Sequence, residues 1–228
     1  MIRAIVYDAV GTIMHVAPSV QAVYADVARR FGCAMDEAEI RRRFLSAFAE
    51  QDLLDCRSGW QTSEAREHDR WRAIVATVFP DIADADACFH TLFQAFASPD
   101  VWAFDPDWLP AAKAMHQRGL RQAVASNFDA RLHALIAAMP GANFMERVVV
   151  SSEIGWRKPA AEFFTRLLDL LQLPPEEVVF VGDDRVNDFD AARRLGIAAV
   201  LLDPRKEHLE LGHNRIEGFA ELPSLFVI

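Results

Sequence analysis

Residues Ile5 to Thr12 read Ile-Val-Tyr-Asp-Ala-Val-Gly-Thr. The apolar run Ile5-Val6-Tyr7 stops abruptly at a carboxylate, and Gly11 follows where the chain can turn tightly. A β-branched run of this kind reads as a strand buried on both faces that delivers Asp8 to its C-terminal end. In open parallel sheets that edge is where ligands bind. Taken alone, the stretch also fits a strand followed by a polar turn, so the rest of the chain must decide.

The pattern from Ser19 to about Ala97 is helical. Val20, Val23, Tyr24, Val27 and Phe31 share one helical face, with Gly32 at the stop. Asp36 and Glu39 form a capping-box pattern. Helices carrying Trp71 to Phe79 and Phe89 to Phe96 end before Pro80 and Pro99. After Pro99 strands and helices alternate. The spacing predicts a helix over 107–117, a strand over 120–125 ending in Ser126-Asn127, and a helix over 130–139. A strand follows over 148–150, then a helix with Pro159 in its first turn. A strand over 178–181 ends in Gly182-Asp183-Asp184. Asn187 is expected to N-cap the next helix, which has Arg193 and Arg194 in its last turn and Gly196 beyond. The last strand spans 198–202. Such alternation predicts an α/β, Rossmann-like parallel sheet, with the helical block inserted after the first strand. The expected division is a core of residues 1–14 and 99–228 and a cap of residues 15–98.

With 228 residues and 52% hydrophobic content, a packed core is expected. A net charge of −9 argues against a general nucleic-acid surface. Cys33, Cys56 and Cys88 have no metal-ligand or disulfide spacing and read as buried thiols. No apolar run approaches a membrane span, and none resembles a signal peptide, so a cytoplasmic protein is expected.

Right-handed crossovers bring the strand C-termini to one edge. Asp8, Ser126-Asn127, Lys158 and Asp183-Asp184 with Asp188 therefore converge. Each has a plain structural use: capping, complementing a helix dipole, solvation, turning. Together they form an acidic cluster that a divalent cation and a lysine would relieve. Hard oxygen donors favour Mg²⁺ over zinc.

This set resembles the haloacid dehalogenase superfamily, in the subfamily with a helical cap after the first motif. Asp8-Ala9-Val10-Gly11-Thr12, Ser126, Lys158-Pro159 and Gly182 to Asp188 match its four motifs in order. Ser126 to Asp129 and Arg157 to Pro159 are similar to the rhythmically-expressed-gene-2-like, or domain-containing protein 3, subgroup. The resemblance implies a hydrolase acting on a small phosphorylated molecule. In that reading Asp8 is the nucleophile and Lys158 its charge partner. Thr12, Ser126 and Asn127 hold the substrate. Mg²⁺ sits on Asp8, the Val10 carbonyl and Asp183, with Asp188 nearby.

One position departs from the pattern. Phosphatases of this group usually carry a second Asp where this chain has Val10, and that group protonates the leaving oxygen. A positioned proton donor contributes about 10² to 10⁴ in rate. Three alternatives follow. Dehalogenation releases halide without needing a proton, but its relatives work without metal, and Asp183 with Asp184 would leave excess negative charge. Phosphonoacetaldehyde hydrolysis needs a cap lysine, and residues 15–98 contain none. A non-catalytic binding protein on an inherited fold is the third. His15, seven residues after Asp8, is a candidate substitute acid or an exposed flap residue. Trp60 and Trp71 are candidate pocket residues, although the spacing of Trp71 suits the core.

Overall fold

The computed structural model describes residues 1–226. In chain order the first elements are β1 (Ala4–Tyr7), β2 (Met14–Val16) and four helices: α1 (Val20–Arg30), α2 (Glu37–Arg57), α3 (Glu64–Val78) and α4 (Ala85–Ala95). Then come β3 (Trp102–Phe104), α5 (Trp108–Gln117), β4 (Arg121–Ser126), α6 (Arg131–Ala137), β5 (Met145–Val150), α7 (Ser151–Ile154) and α8 (Ala161–Leu171). β6 (Val178–Gly182), α9 (Ala191–Arg194), β7 (Ala198–Leu202) and β8 (Arg215–Ile216) complete the regular elements.

Six strands form one parallel sheet in the order β5-β4-β1-β6-β7-β8. β1 lies near the middle and all four of its residues are buried. Its side chains alternate between the two faces, as the pleat requires. Ile5 and Tyr7 join a core cluster with Trp108, Leu132 and Val181. Ala4 and Val6 join another with Phe163, Phe164 and Phe180. Sheet faces covered on both sides explain why β1 and β6 read as unbroken apolar runs.

The helices between β2 and β3 have an apolar cluster of their own, built on Tyr24, Ile40, Ile74, Val78 and Phe89. β2 and β3 pair antiparallel where the chain leaves for these helices and returns, a ribbon that the sequence reading missed. α1 is capped by the Ser19 hydroxyl and stops at Phe31, with Gly32 at φ +76° beyond it. Asp36 caps α2 through Glu39 N at 2.8 Å, but the Glu39 carboxylate turns to Arg42 and Arg43, so the capping box is one-sided.

Three local expectations are corrected. Asp184, not Asn187, caps the helical turn over residues 185–190, because its carboxylate accepts from Val186 N and Asn187 N at 2.8 and 2.9 Å. That turn is widened, with Phe189 N bonding Asp184 O at 3.2 Å. α8 begins at Ala161, so Pro159 lies just before it. Cys56 is exposed and Cys33 partly so; only Cys88 is a buried thiol. Among the described residues no helix is long and apolar enough to cross a membrane.

Candidate active site

β1 is flanked by the strands that must meet it at the site. Tyr7 stands opposite Val124 of β4 on one side and Val181 of β6 on the other. Asp8 follows Tyr7 directly, and Ser126 and Asp183 stand two residues past its partners, so the three emerge together at the C-terminal edge. Asp8 N continues the ladder to Val181 O at 2.8 Å. Because β4 and β6 lie on opposite sides of β1, a crevice opens at this point, as expected where strand order reverses.

Lys158 closes the site from the loop before α8. Its Nζ lies 2.5 Å from Asp8 Oδ1 and 2.6 Å from Asp188 Oδ1. Ser126 Oγ donates to the same Asp8 oxygen at 2.8 Å. Among the described residues, Asp8 Oδ2 meets only the Thr12 hydroxyl, at 3.4 Å. Asp188 is buried, and its second oxygen accepts from Asp184 N at 3.0 Å. Burial alone would lower the Lys158 pKa, but the carboxylates of Asp188 and Asp8 outweigh it and hold the ammonium well above its usual value.

Carboxylate oxygens of Asp8, Asp183 and Asp188 lie within 4.8 Å of one another, with one lysine to offset three charges. Loss of water, then repulsion from Asp8, raises Asp183 to about 6. Loss of water raises Asp188 to about 7 against the pull of Lys158. Asp183 is open to the cavity, yet protein walls surround that cavity, so its hydration is poorer than its accessible surface implies. A compact set of hard oxygen donors with unrelieved negative charge fits a divalent cation.

The close approach depends on two glycines. A Cβ on Gly11, whose φ is +89°, would stand 2.3 Å from Asp183 Oδ2, and one on Gly182 would stand 2.2 Å from Asp188 Oδ2. Gly11→Ala should leave the sheet intact while pushing Asp183 away. The expected result is loss of at least tenfold in divalent-cation affinity by calorimetry, with destabilisation of about 1–3 kcal/mol from the strained backbone. Unchanged cation affinity would contradict this geometry.

Some assigned residues stand elsewhere than expected. The Thr12 hydroxyl reaches Asp183 Oδ1 at 3.0 Å and is not part of the cavity wall, so it ties the acidic cluster together. The Asn127 amide accepts from Lys158 N at 2.7 Å and donates to Lys158 O at 3.0 Å, which clamps the lysine loop. Val10 is 38% exposed and lines the cavity. His15 is exposed on β2 and does not line it.

The cavity holds about 400 Å³ and runs from Asp8 and Asp183 into the four helices. Trp60 and Trp71 both line it; Trp71 also packs on the helical cluster. A buried ionic cluster escaped the sequence reading. Arg157, beside Lys158, pairs with Glu67 of α3 and faces Asp55 of α2, which also binds Arg66 and Arg70. Backbone bonds support this junction: Arg157 N to Trp60 O at 2.9 Å and Thr62 N to Gly155 O at 3.0 Å. The available signal was Asp52 and Asp55 three apart on one helix, and Arg66 and Arg70 four apart on the next.

Three acids and a lysine thus meet at the switch point of a parallel α/β sheet, and the cavity that starts there continues into the inserted helices. A family model described as haloacid dehalogenase-like hydrolase matches residues 2–196, and the chain belongs to that family. It is 30% identical to the haloacid dehalogenase-like hydrolase domain-containing protein 3 of Xenopus laevis, over 90% of this chain and 85% of that one. It is 22% identical to the Rhythmically expressed gene 2 protein of Drosophila melanogaster, over 88% and 82% respectively. These are the relatives that the motif wording at 126–129 and 157–159 pointed to. Its fold is that of the HAD-hydrolase YfnB of Bacillus subtilis bound to magnesium, with a TM-score of 0.75, 14% identity and 99% of both chains covered.

Proposed function

We propose that this protein is a Mg²⁺-dependent phosphohydrolase in which Asp8 is the nucleophile and the usual proton donor is missing. The observation that carries this reading is the cluster of Asp8, Asp183 and Asp188 around one lysine. Residues 15–98 act as a cap domain over the site. Asp8, the Val10 carbonyl and Asp183 would hold the cation, with Asp188 beside them. The bound cation would supply charge compensation for the phosphoryl oxygens.

The protein's own groups divide the remaining work. Lys158 and Ser126 hold Asp8 Oδ1, which orients the carboxylate and leaves Oδ2 the freer oxygen. That oxygen attacks phosphorus, and the bond from phosphorus to the leaving oxygen breaks. The leaving oxygen departs with the electron pair and takes a proton from solvent, since the apolar side chain of Val10 cannot give one. Water then attacks phosphorus of the aspartyl-phosphate, passes its proton to solvent, and releases phosphate and the Asp8 carboxylate. Catalysis here rests on positioning and charge compensation. Metal-independent dehalogenation fits less well, because it leaves three acids sharing one ammonium.

The test is hydrolysis of a series of phosphates with graded leaving-group pKa, with and without Mg²⁺. We expect magnesium dependence, a steep fall in rate as the leaving group becomes more basic, and no turnover by Asp8→Asn. A flat slope would mean that another residue supplies the proton. Calorimetry adds an independent readout: equal magnesium affinity in wild type and Asp183→Asn would remove the metal assignment. Halide release from 2-haloacids without magnesium would favour dehalogenation. Inertness towards all of these would favour a binding protein.

A further inference from the structure

The wall of the cavity says what kind of molecule the phosphoryl group is attached to. Beyond the acidic edge the cavity is aromatic. Phe44, Phe48, Trp71, Phe93, Phe96 and Trp102 line it. The first four are only half-buried. Phe44 packs near-parallel to Phe48 and to Trp71, with centroids 5.9 and 6.5 Å apart and interplanar angles of 27° and 28°. Apolar rings left half-covered along one wall are a platform for a flat, apolar group.

The charges on this wall are already spoken for. Arg131 donates through Nε and Nη2 to both oxygens of Asp129 and through Nη1 to Phe93 O. Its guanidinium also lies 3.5 Å from the centre of the Phe93 ring. Arg157 sits between Glu67 and Asp55; its Nε makes no hydrogen bond but faces Asp55 Oδ2 at 3.6 Å. Asp52 is held by Arg70 at 2.6 Å. Every arginine on the wall therefore has its carboxylate, and none is left to meet a second anionic group on a substrate.

Val10 adds an independent constraint at the mouth of the same cavity. A leaving group that receives no proton from the protein as it departs must be stable as an anion, which favours an aryl oxide over an alkoxide.

We propose that the substrate is an aryl phosphate monoester, with one phosphoryl group at the acidic edge and its apolar rings against Phe44, Phe48, Trp71 and Phe93. This rests on the phosphohydrolase reading above. A second phosphate or a carboxylate on the body would be buried against rings with no free cation to pair it, and is rejected.

The test compares 2-naphthyl phosphate with 4-carboxyphenyl phosphate, whose leaving oxygens are of similar basicity, using the full-length protein with Mg²⁺. Acetyl phosphate, small and activated, serves as the third substrate. The expected result is a kcat/KM for the naphthyl ester roughly a hundredfold above that of the carboxylated one. A ratio near one, or a preference for the carboxylate, together with turnover of acetyl phosphate, overturns the aryl assignment and leaves the phosphohydrolase reading standing. Turnover of none of the three overturns both.

Discussion

Replacing Val10 by Asp should raise kcat on alkyl phosphates by about 10² to 10⁴. That range corresponds to roughly 3–5 kcal/mol of barrier. Val10 is a favourable position for the change. It is 38% exposed, lines the cavity beside Asp8, and is not part of any of the three apolar clusters, so a carboxylate there displaces little packing. It also stands two residues past the proposed nucleophile, outside the Asp8–Lys158–Asp188 contacts. Steady-state kinetics on an alkyl phosphate and an aryl phosphate would check this. The alkyl rate should rise far more, because only the alkoxide needs the proton. A folded Val10→Asp protein that binds magnesium and gains nothing on either substrate would sink the acid-deficient reading. Asp8→Asn in the same background is the control and should be inactive.

Lys158→Met should be the change in the site that costs the most stability. The lysine is buried, and its Nζ contacts Asp8 at 2.5 Å and Asp188 at 2.6 Å. Removing it leaves two buried carboxylates facing each other without a cation. Breaking a buried pair in this way costs about 3–5 kcal/mol. Denaturant unfolding in chelator should show that loss. Magnesium should recover part of it, since a bound cation replaces some of the missing charge and stabilises only the folded state. Phosphatase activity should fall by at least about 10², because Asp8 loses the group that orients it. A variant as stable as wild type in chelator would mean that Asp8 and Asp188 do not depend on Lys158.

The sequence by itself determined the sheet and most of its edge chemistry. Runs such as Ile5-Val6-Tyr7 and Val178 to Val181 are apolar throughout because both faces of the sheet are covered, and a charged or glycine residue marks where cover ends. From there the chirality of crossovers is enough to bring Asp8, Ser126 and Asp183 to one edge. Helical spacing likewise marked the block between the first strand and Pro99. What the sequence did not carry is how the inserted helices face the site. The antiparallel pairing of β2 with β3 joins residues nearly ninety positions apart, and three-residue strands have too short a pattern to read. The Arg157–Glu67–Asp55–Arg70 cluster joins two helices to a loop on the other side of the chain, and each member alone looks like an ordinary surface charge. Trp71 reads as core from its spacing, yet its position beside Phe44 and Phe48 puts part of its ring on the cavity. Thr12 and Asn127 could be placed near the sheet edge and were expected to hold substrate, but the sequence did not show that one would bind Asp183 and the other the Lys158 backbone. Periodicity reports which residues are buried; which buried groups meet across the cavity depends on long-range packing that local spacing does not encode.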